Sequence, residues 1–163
     1  TAATARGVLL RVQAVIDTGG PISSLLDELA ATGVTVPAAL RDVPAGVPTV
    51  SQLQDSFPEA ARTAAAASIK VSPDATLGDR TLTFLRRHTG ARSLTPRDGA
   101  DPDAVLSRAE AALRGGDVAG ALAQLDQLPA DAQAAMSEWR ASAQTRVAAS
   151  VALGELTAGL SGN

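Results

Sequence analysis

The chain has no cysteine, no tyrosine and one histidine, and its only other aromatic residues are Phe57, Phe84 and Trp139. Without cysteine there is no disulfide framework, no thiol nucleophile and no zinc–thiolate site, and the redox compartment stays open. A single imidazole, His88, excludes a multi-histidine metal centre within one chain. So few aromatics leave a core to be built from Ala, Leu and Val. Alanine favours helix and lets helices approach closely, so the expected class is all-α, with thin, closely packed helices rather than a sheet. Lysine is nearly absent, with thirteen arginines against Lys70 alone, and with abundant Ala and Gly this hints at a GC-rich genome. No apolar run approaches the roughly 20 residues that span a bilayer, and no signal-peptide pattern is visible. The chain opens at Thr1 rather than Met, so an anchoring or targeting segment is expected upstream.

What is present is a 163-residue chain, 45% hydrophobic and 19% charged. That is enough apolar material for one domain or two small helical units. A net charge of −3 argues against broad nucleic-acid binding, which needs a basic face. Positive charge is nevertheless concentrated in one place. Thr76–Arg97 holds Arg80, Arg86, Arg87, Arg92 and Arg97 together with His88, and no acid follows Asp79. If Leu77–His88 is helical, a step of about 100° per residue puts Leu77, Phe84 and Leu85 on one face and Arg80 and Arg87 on its flank. Arg86 and Asp79 then point the other way. Apolar residues bordered by arginine suit an anionic lipid surface, where guanidinium groups meet phosphate. The plainer reading is an amphipathic helix whose arginines are solvated or paired with acids elsewhere.

Around that stretch the chain reads as helices with clear punctuation. Ala3–Asp17 carries Val8, Leu9, Val12, Val15 and Ile16 at helical spacing and stops at Gly19-Gly20-Pro21. A second helix, with Pro21 in its first turn, carries Ile22, Leu25, Leu26 and Leu29 to Gly33, so the two make a helical hairpin. Pro37, Pro44 and Pro48 turn the path from Val34 to Pro48, with room for a short helix over Ala38–Asp42. Thr49 is a good N-cap for Val50, Leu53 and Phe57. Pro58 is then expected to end that helix and start another through Glu59 to Ser68, because an interior proline removes a hydrogen bond and clashes with the preceding turn.

After a loop over Thr95–Asp101, Asp101 caps a helix with Pro102 at its first position and Asp103 near its positive end. Val105, Leu106, Ala109, Ala112 and Leu113 form its inward stripe to Gly115-Gly116. Asp117 caps the next, with Val118, Ala121, Leu122, Leu125 and Leu128 inward as far as Pro129. A last helix from Pro129 runs through Met136, Trp139, Val147, Val151 and Leu156 and fades at Gly159 and Gly162. The glycine-interrupted Gly154–Asn163 is a poor match to a strong helix. The expected organisation is an N-terminal helical region over 1–75, a basic segment and loop over 76–100, and a C-terminal three-helix unit over 101–163. The pair AEAALRGGDVAGALAQLDQLP reads like a tetratricopeptide-type hairpin.

Convergent titratable groups are scarce. Ser93 or Thr89 with His88 would need a third orienting group that the local sequence does not supply. Asp98, Asp101 and Asp103 do not meet the calcium-loop spacing, and capping explains the latter two. Gly19-Gly20 and Gly115-Gly116 follow no expected strand and read as helix stops, not phosphate cradles. No enzyme activity, metal or cofactor is expected. Trp139, with Met136 and Ala143 on its face, is a core anchor or, less simply, a partner-binding residue. The Ala64–Ala67 run is a close helix contact or part of an oligomer interface.

The run DPDAVLSRAEAALRGGDVAGALAQLDQLPADAQAAMSEWRASAQTRVAA, Asp101–Ala149, resembles the C-terminal domain of alphaproteobacterial mitofilin-family proteins, relatives of the mitochondrial crista organiser. AGVPTVSQLQDSFPEAARTA, Ala45–Ala64, is similar to a segment those proteins carry further upstream. The resemblance implies a bacterial inner-membrane protein with an N-terminal anchor and a coiled coil, neither of which lies in this sequence, and a helical region on the periplasmic side. It further implies self-association, membrane shaping and a lipid-binding segment just before the terminal domain. Leu77–Leu94 occupies that place, which assigns lipid contact to Leu77, Arg80, Phe84, Leu85, Arg86, Arg87 and Arg92. The expected partners are an anionic phospholipid membrane, a further copy of the chain, and a protein partner at the C-terminal helices. The alternative is a periplasmic tetratricopeptide-like adaptor whose hairpin binds protein and whose arginines only solubilise.

Overall fold

The computed structural model describes residues 2–70 and 101–161, and every regular element among them is a helix. In chain order these are α1 Ala2–Thr18, α2 Ser23–Ala31, α3 Ala38–Arg41, α4 Val50–Lys70, α5 Pro102–Arg114, α6 Val118–Leu125, α7 Ala130–Ala135 and α8 Ser137–Ser161. The all-α class is as the composition implies. The chain divides into two compact units, one made of Thr1–Asp55 and Glu138–Asn163, the other of Ser56–Ser137. This partition differs from the contiguous 1–75, 76–100 and 101–163 division. Helix α8 returns to the N-terminal helices instead of closing a C-terminal bundle.

The helix ends follow from local chemistry. Gly19 at the end of α1 has φ 76°, and the Gly20 and Gly19 amides donate to the Val15 and Ile16 carbonyls, a Schellman closure that satisfies orphan carbonyls. The same pattern ends α5, where Gly116 and Asp117 donate to Leu113 and Ala112. At the start of α4, Thr49 Oγ1 accepts from the Gln52 amide while Gln52 Oε1 accepts from the Thr49 amide. This reciprocal capping box satisfies two donors at once. Asp101 Oδ1 accepts from the Ala104 amide at 2.9 Å and Asp117 Oδ1 from Gly120 at 2.8 Å, so both expected caps are made.

The first unit is organised around one apolar cluster. Val8, Leu9, Val12 and Ile16 of α1 meet Leu25, Leu26 and Leu29 of α2, Leu40 of α3, and Ala149, Ala152 and Leu153 of α8. Each fully buried Leu or Ile contributes about 1.5–3 kcal/mol. Pro21 lies before α2 rather than in its first turn, because Ile22 occupies the N-cap and donates its amide to the Pro44 carbonyl. The loop after α3 passes tightly under the α1–α2 turn. A Cβ on Gly46 would lie 2.8 Å from the Gly20 carbonyl oxygen and 2.9 Å from that of Gly19, and Gly46 has φ 125°, so only glycine fits.

In the second unit α5 and α6 pack together across the Gly115–Asp117 turn. Val105, Ala109 and Leu113 of α5 and Val118, Ala121 and Leu125 of α6 are buried. Gln133 of α7 donates to the Leu128 and Asp126 carbonyls and so ties down the turn that leads into it.

Further local expectations are overturned. Helix α4 continues through Pro58 instead of restarting there. Its capping box and the burial of Leu53, Phe57 and Ala64 hold both sides of the proline in one helix. The last helix is broken at Met136, whose φ −103° and ψ 10° separate α7 from α8. The buried face of α8 is Trp139, Ala143, Arg146, Ala149, Ala152 and Leu153, whereas Val147 is half-buried and Val151 is 54% exposed. Small alanines let α8 approach closely where valines would stand it off. Helix α8 also runs through Gly154 and Gly159 to Ser161, and the Leu160 carbonyl near its end accepts from Arg6 Nε at 2.9 Å.

Candidate functional site

The residues assigned to lipid contact, Leu77, Arg80, Phe84, Leu85, Arg86, Arg87 and Arg92, lie outside the described residues, as do His88, Thr89, Ser93 and Asp98. What is described is how the chain enters and leaves that stretch. Helix α4 precedes it and the Asp101 cap of α5 follows it, and the residues between belong by sequence to the unit that spans Ser56–Ser137. The capping role of Asp101 accounts for one of the three acids of the RDGADPD run. Among the described residues no group of His, Cys, Asp or Glu is arranged to hold a metal ion. Among the same residues no helix is long and apolar enough to cross a membrane.

The candidate surface for a protein partner is the α5–α6 pair. Its inner contacts are made by the buried stripes, and between the helices Arg108 Nε donates to Gln124 Oε1 at 2.8 Å, with a second bond from Nη2 to Gln127 Oε1. Glu110 and Arg114 face outward and pair along α5 at 3.5 Å, an exposed contact of small energetic weight. The exposed residues are charged on α5, at Asp103, Glu110 and Arg114, and apolar on α6, at Ala119 and Ala123.

Trp139, carried forward as a partner-binding candidate, is 6% exposed. Its indole Nε1 donates to the Leu53 carbonyl at 3.0 Å. A side chain placed this way offers a partner almost no surface and acts as the core anchor of its face. In the Ala64–Ala67 run, Ala64 is buried and Ala66 is exposed, so one side of α4 is packed and the other is open.

Sequence reasoning did not single out Arg146. Its guanidinium, nearly buried, donates from Nη1 to the Ile16 carbonyl at 3.0 Å and from Nη2 to Asp17 Oδ1 at 2.6 Å. It thereby closes the C-terminal end of α1, where the helix dipole is negative and Asp17 adds a further charge. Burial pushes the Asp17 carboxyl up, but hydrogen bonds from Gln13 and Arg146 and the charge of Arg146 together hold it below the ordinary carboxylate value. A signal was present: α1 ends on an acid with no basic residue in its last turn, and Arg146 stands in the small-residue row between Ala143 and Ala149.

Compared with known proteins, the chain matches no family model, no curated protein and no solved structure.

Proposed function

We propose that this chain is a non-enzymatic, membrane-organising helical region that binds anionic bilayer surfaces through Leu77–Arg92 and self-associates on the periplasmic side of a bacterial inner membrane. The observation that carries the reading is charge segregation. Five arginines and one acid fall within Thr76–Arg97 of a chain whose net charge is −3, so the rest of the chain is acidic. Phe84 and the neighbouring leucines would enter the interface while Arg80, Arg86, Arg87 and Arg92 hold lipid phosphates. Each arginine near an anionic surface is worth about 1 kcal/mol, so one copy binds weakly and several copies act together. The mitofilin resemblance of Asp101–Ala149 supports the same reading.

The second reading is a protein adaptor that uses the α5–α6 pair, favoured by its well-capped, closely packed helices and the charged outer face of α5. Co-sedimentation with liposomes separates the two, using vesicles with and without anionic lipid and a Phe84→Ala, Arg86→Glu, Arg87→Glu variant that circular dichroism shows to be folded. Salt-sensitive binding that the variant loses supports the membrane reading. No binding by the wild type at low salt rejects it in favour of the adaptor.

A further inference from the structure

The first unit is discontinuous in sequence, and its two pieces meet where the chain leaves and re-enters it. The chain leaves after Asp55 and returns at Glu138. Just inside those points, Trp139 Nε1 donates to the Leu53 carbonyl at 3.0 Å, across 86 positions of sequence. The same pieces are tied again by Arg6 to the Leu160 carbonyl near their other ends and by Arg146 to Ile16 and Asp17 between. The apolar cluster that α1, α2, α3 and α8 share takes every member from this unit, and so do the partly buried residues packed against it. The unit therefore has a core of its own and a closed gap.

Both crossings also coincide with interrupted helix bonding. Pro58 stands three positions beyond Asp55 in α4, and its ring nitrogen has no hydrogen to give the ladder. Met136 stands two positions before Glu138 and breaks α7 from α8. Cooperative helix propagation is weakest where a ladder bond is missing, so neither crossing transmits unwinding well.

From these observations we infer that Thr1–Asp55 and Glu138–Asn163 form a separately cooperative clasp and that Ser56–Ser137 is an insert within it. The insert opens and recloses without the clasp opening. This inference does not depend on what the basic stretch binds.

Hydrogen exchange on the full chain, read by mass spectrometry for separate helices, tests it with Leu113→Ala and, independently, Leu125→Ala, both of which open cavities in the insert. The expected result is exchange faster by about thirtyfold or more in α5 and α6, with α1 and α2 unchanged. If either substitution prevents the insert from folding, α1 and α2 keep their protection. Acceleration of α1 and α2 by the same factor as α5 and α6, or loss of their protection when the insert is unfolded, overturns the inference.

Discussion

The indole nitrogen of Trp139 donates to the backbone carbonyl of Leu53, joining α8 to the first turn of α4 inside the same unit. This carbonyl lies one residue before Gln54, whose usual helical donor would be the missing N–H of Pro58. The only tryptophan thus ties α4 to α8 one residue before the place where the ladder lacks an N–H. Replacing Trp139 by Phe keeps most of the apolar area and removes the donor, so it should cost about 1–2 kcal/mol in urea unfolding followed by circular dichroism. Trp139→Ala should cost about 3–5 kcal/mol. A Trp139→Phe cost near zero would show that the hydrogen bond carries no weight.

Arg146 and Asp17 should respond unequally to removal. Asp17→Ala leaves a nearly buried guanidinium with only the Ile16 carbonyl as a partner, at an expected cost of about 2 kcal/mol. Arg146→Met removes the buried charge itself. Asp17 is half-exposed and keeps Gln13, and the Ile16 carbonyl keeps the Gly19 amide, so the expected cost is below about 1 kcal/mol. Chemical denaturation of both variants decides it, and a costlier Arg146→Met would overturn the account.

The same pair sets a pH dependence. The folded Asp17 carboxyl is held below its ordinary value, so the unfolded chain binds its proton more readily. Its contribution is complete above the ordinary carboxylate range, from about pH 5 upward, and is lost as pH falls below about 4 through the folded value. The stability difference between wild type and Asp17→Asn should be flat from neutral pH down to that range and shrink below it. A difference that grows on acidification would reverse the sign.

Two helical glycines should behave in opposite ways. A Cβ at Gly154 meets nothing within 4 Å, so Gly154→Ala should stabilise α8 by about 0.5–1 kcal/mol. A Cβ at Gly120 would collide with the Asp117 carboxylate that caps α6, so Gly120→Ala should destabilise by about 1 kcal/mol through loss of the cap. Thermal unfolding of the two variants reads both signs directly.

If the arginines act at a membrane, binding of the full chain to anionic vesicles should fall steeply as salt rises from low to physiological strength, since screening over about 8 Å weakens each phosphate contact. Arg86→Lys with Arg87→Lys should retain much of that binding, because charge at a surface matters more than bidentate geometry. Vesicle flotation across a salt series measures both effects. Loss of binding on the lysine exchange would point to a specific headgroup pocket instead.

Much of the local structure was legible in the sequence because its causes are local. Gly19 and Gly116 end helices through their own backbone freedom, Asp101 and Asp117 cap with carboxylates three residues from the amides they accept, and apolar residues on α1, α2, α5 and α6 recur at helical spacing. The fate of Pro58 was not legible, since whether a helix survives a proline depends on what holds each side. The proposed lipid site is legible only as composition and periodicity, because Leu77–Arg92 lies outside the described residues.

The sequence by itself determined the all-α class, most helix starts and stops among the described residues, and the gathering of positive charge between Thr76 and Arg97. These rest on interactions within about one helical turn or on composition alone. Only the tertiary structure decided that α8 returns to α1, that it buries Ala149 and Ala152 rather than Val151, that Trp139 faces the Leu53 carbonyl, and that Arg146 closes the end of α1. The partners in those contacts stand between 86 and 154 positions apart. A helix with apolar residues on several faces has no local reason to choose among them, so the choice falls to whichever neighbour packs closest.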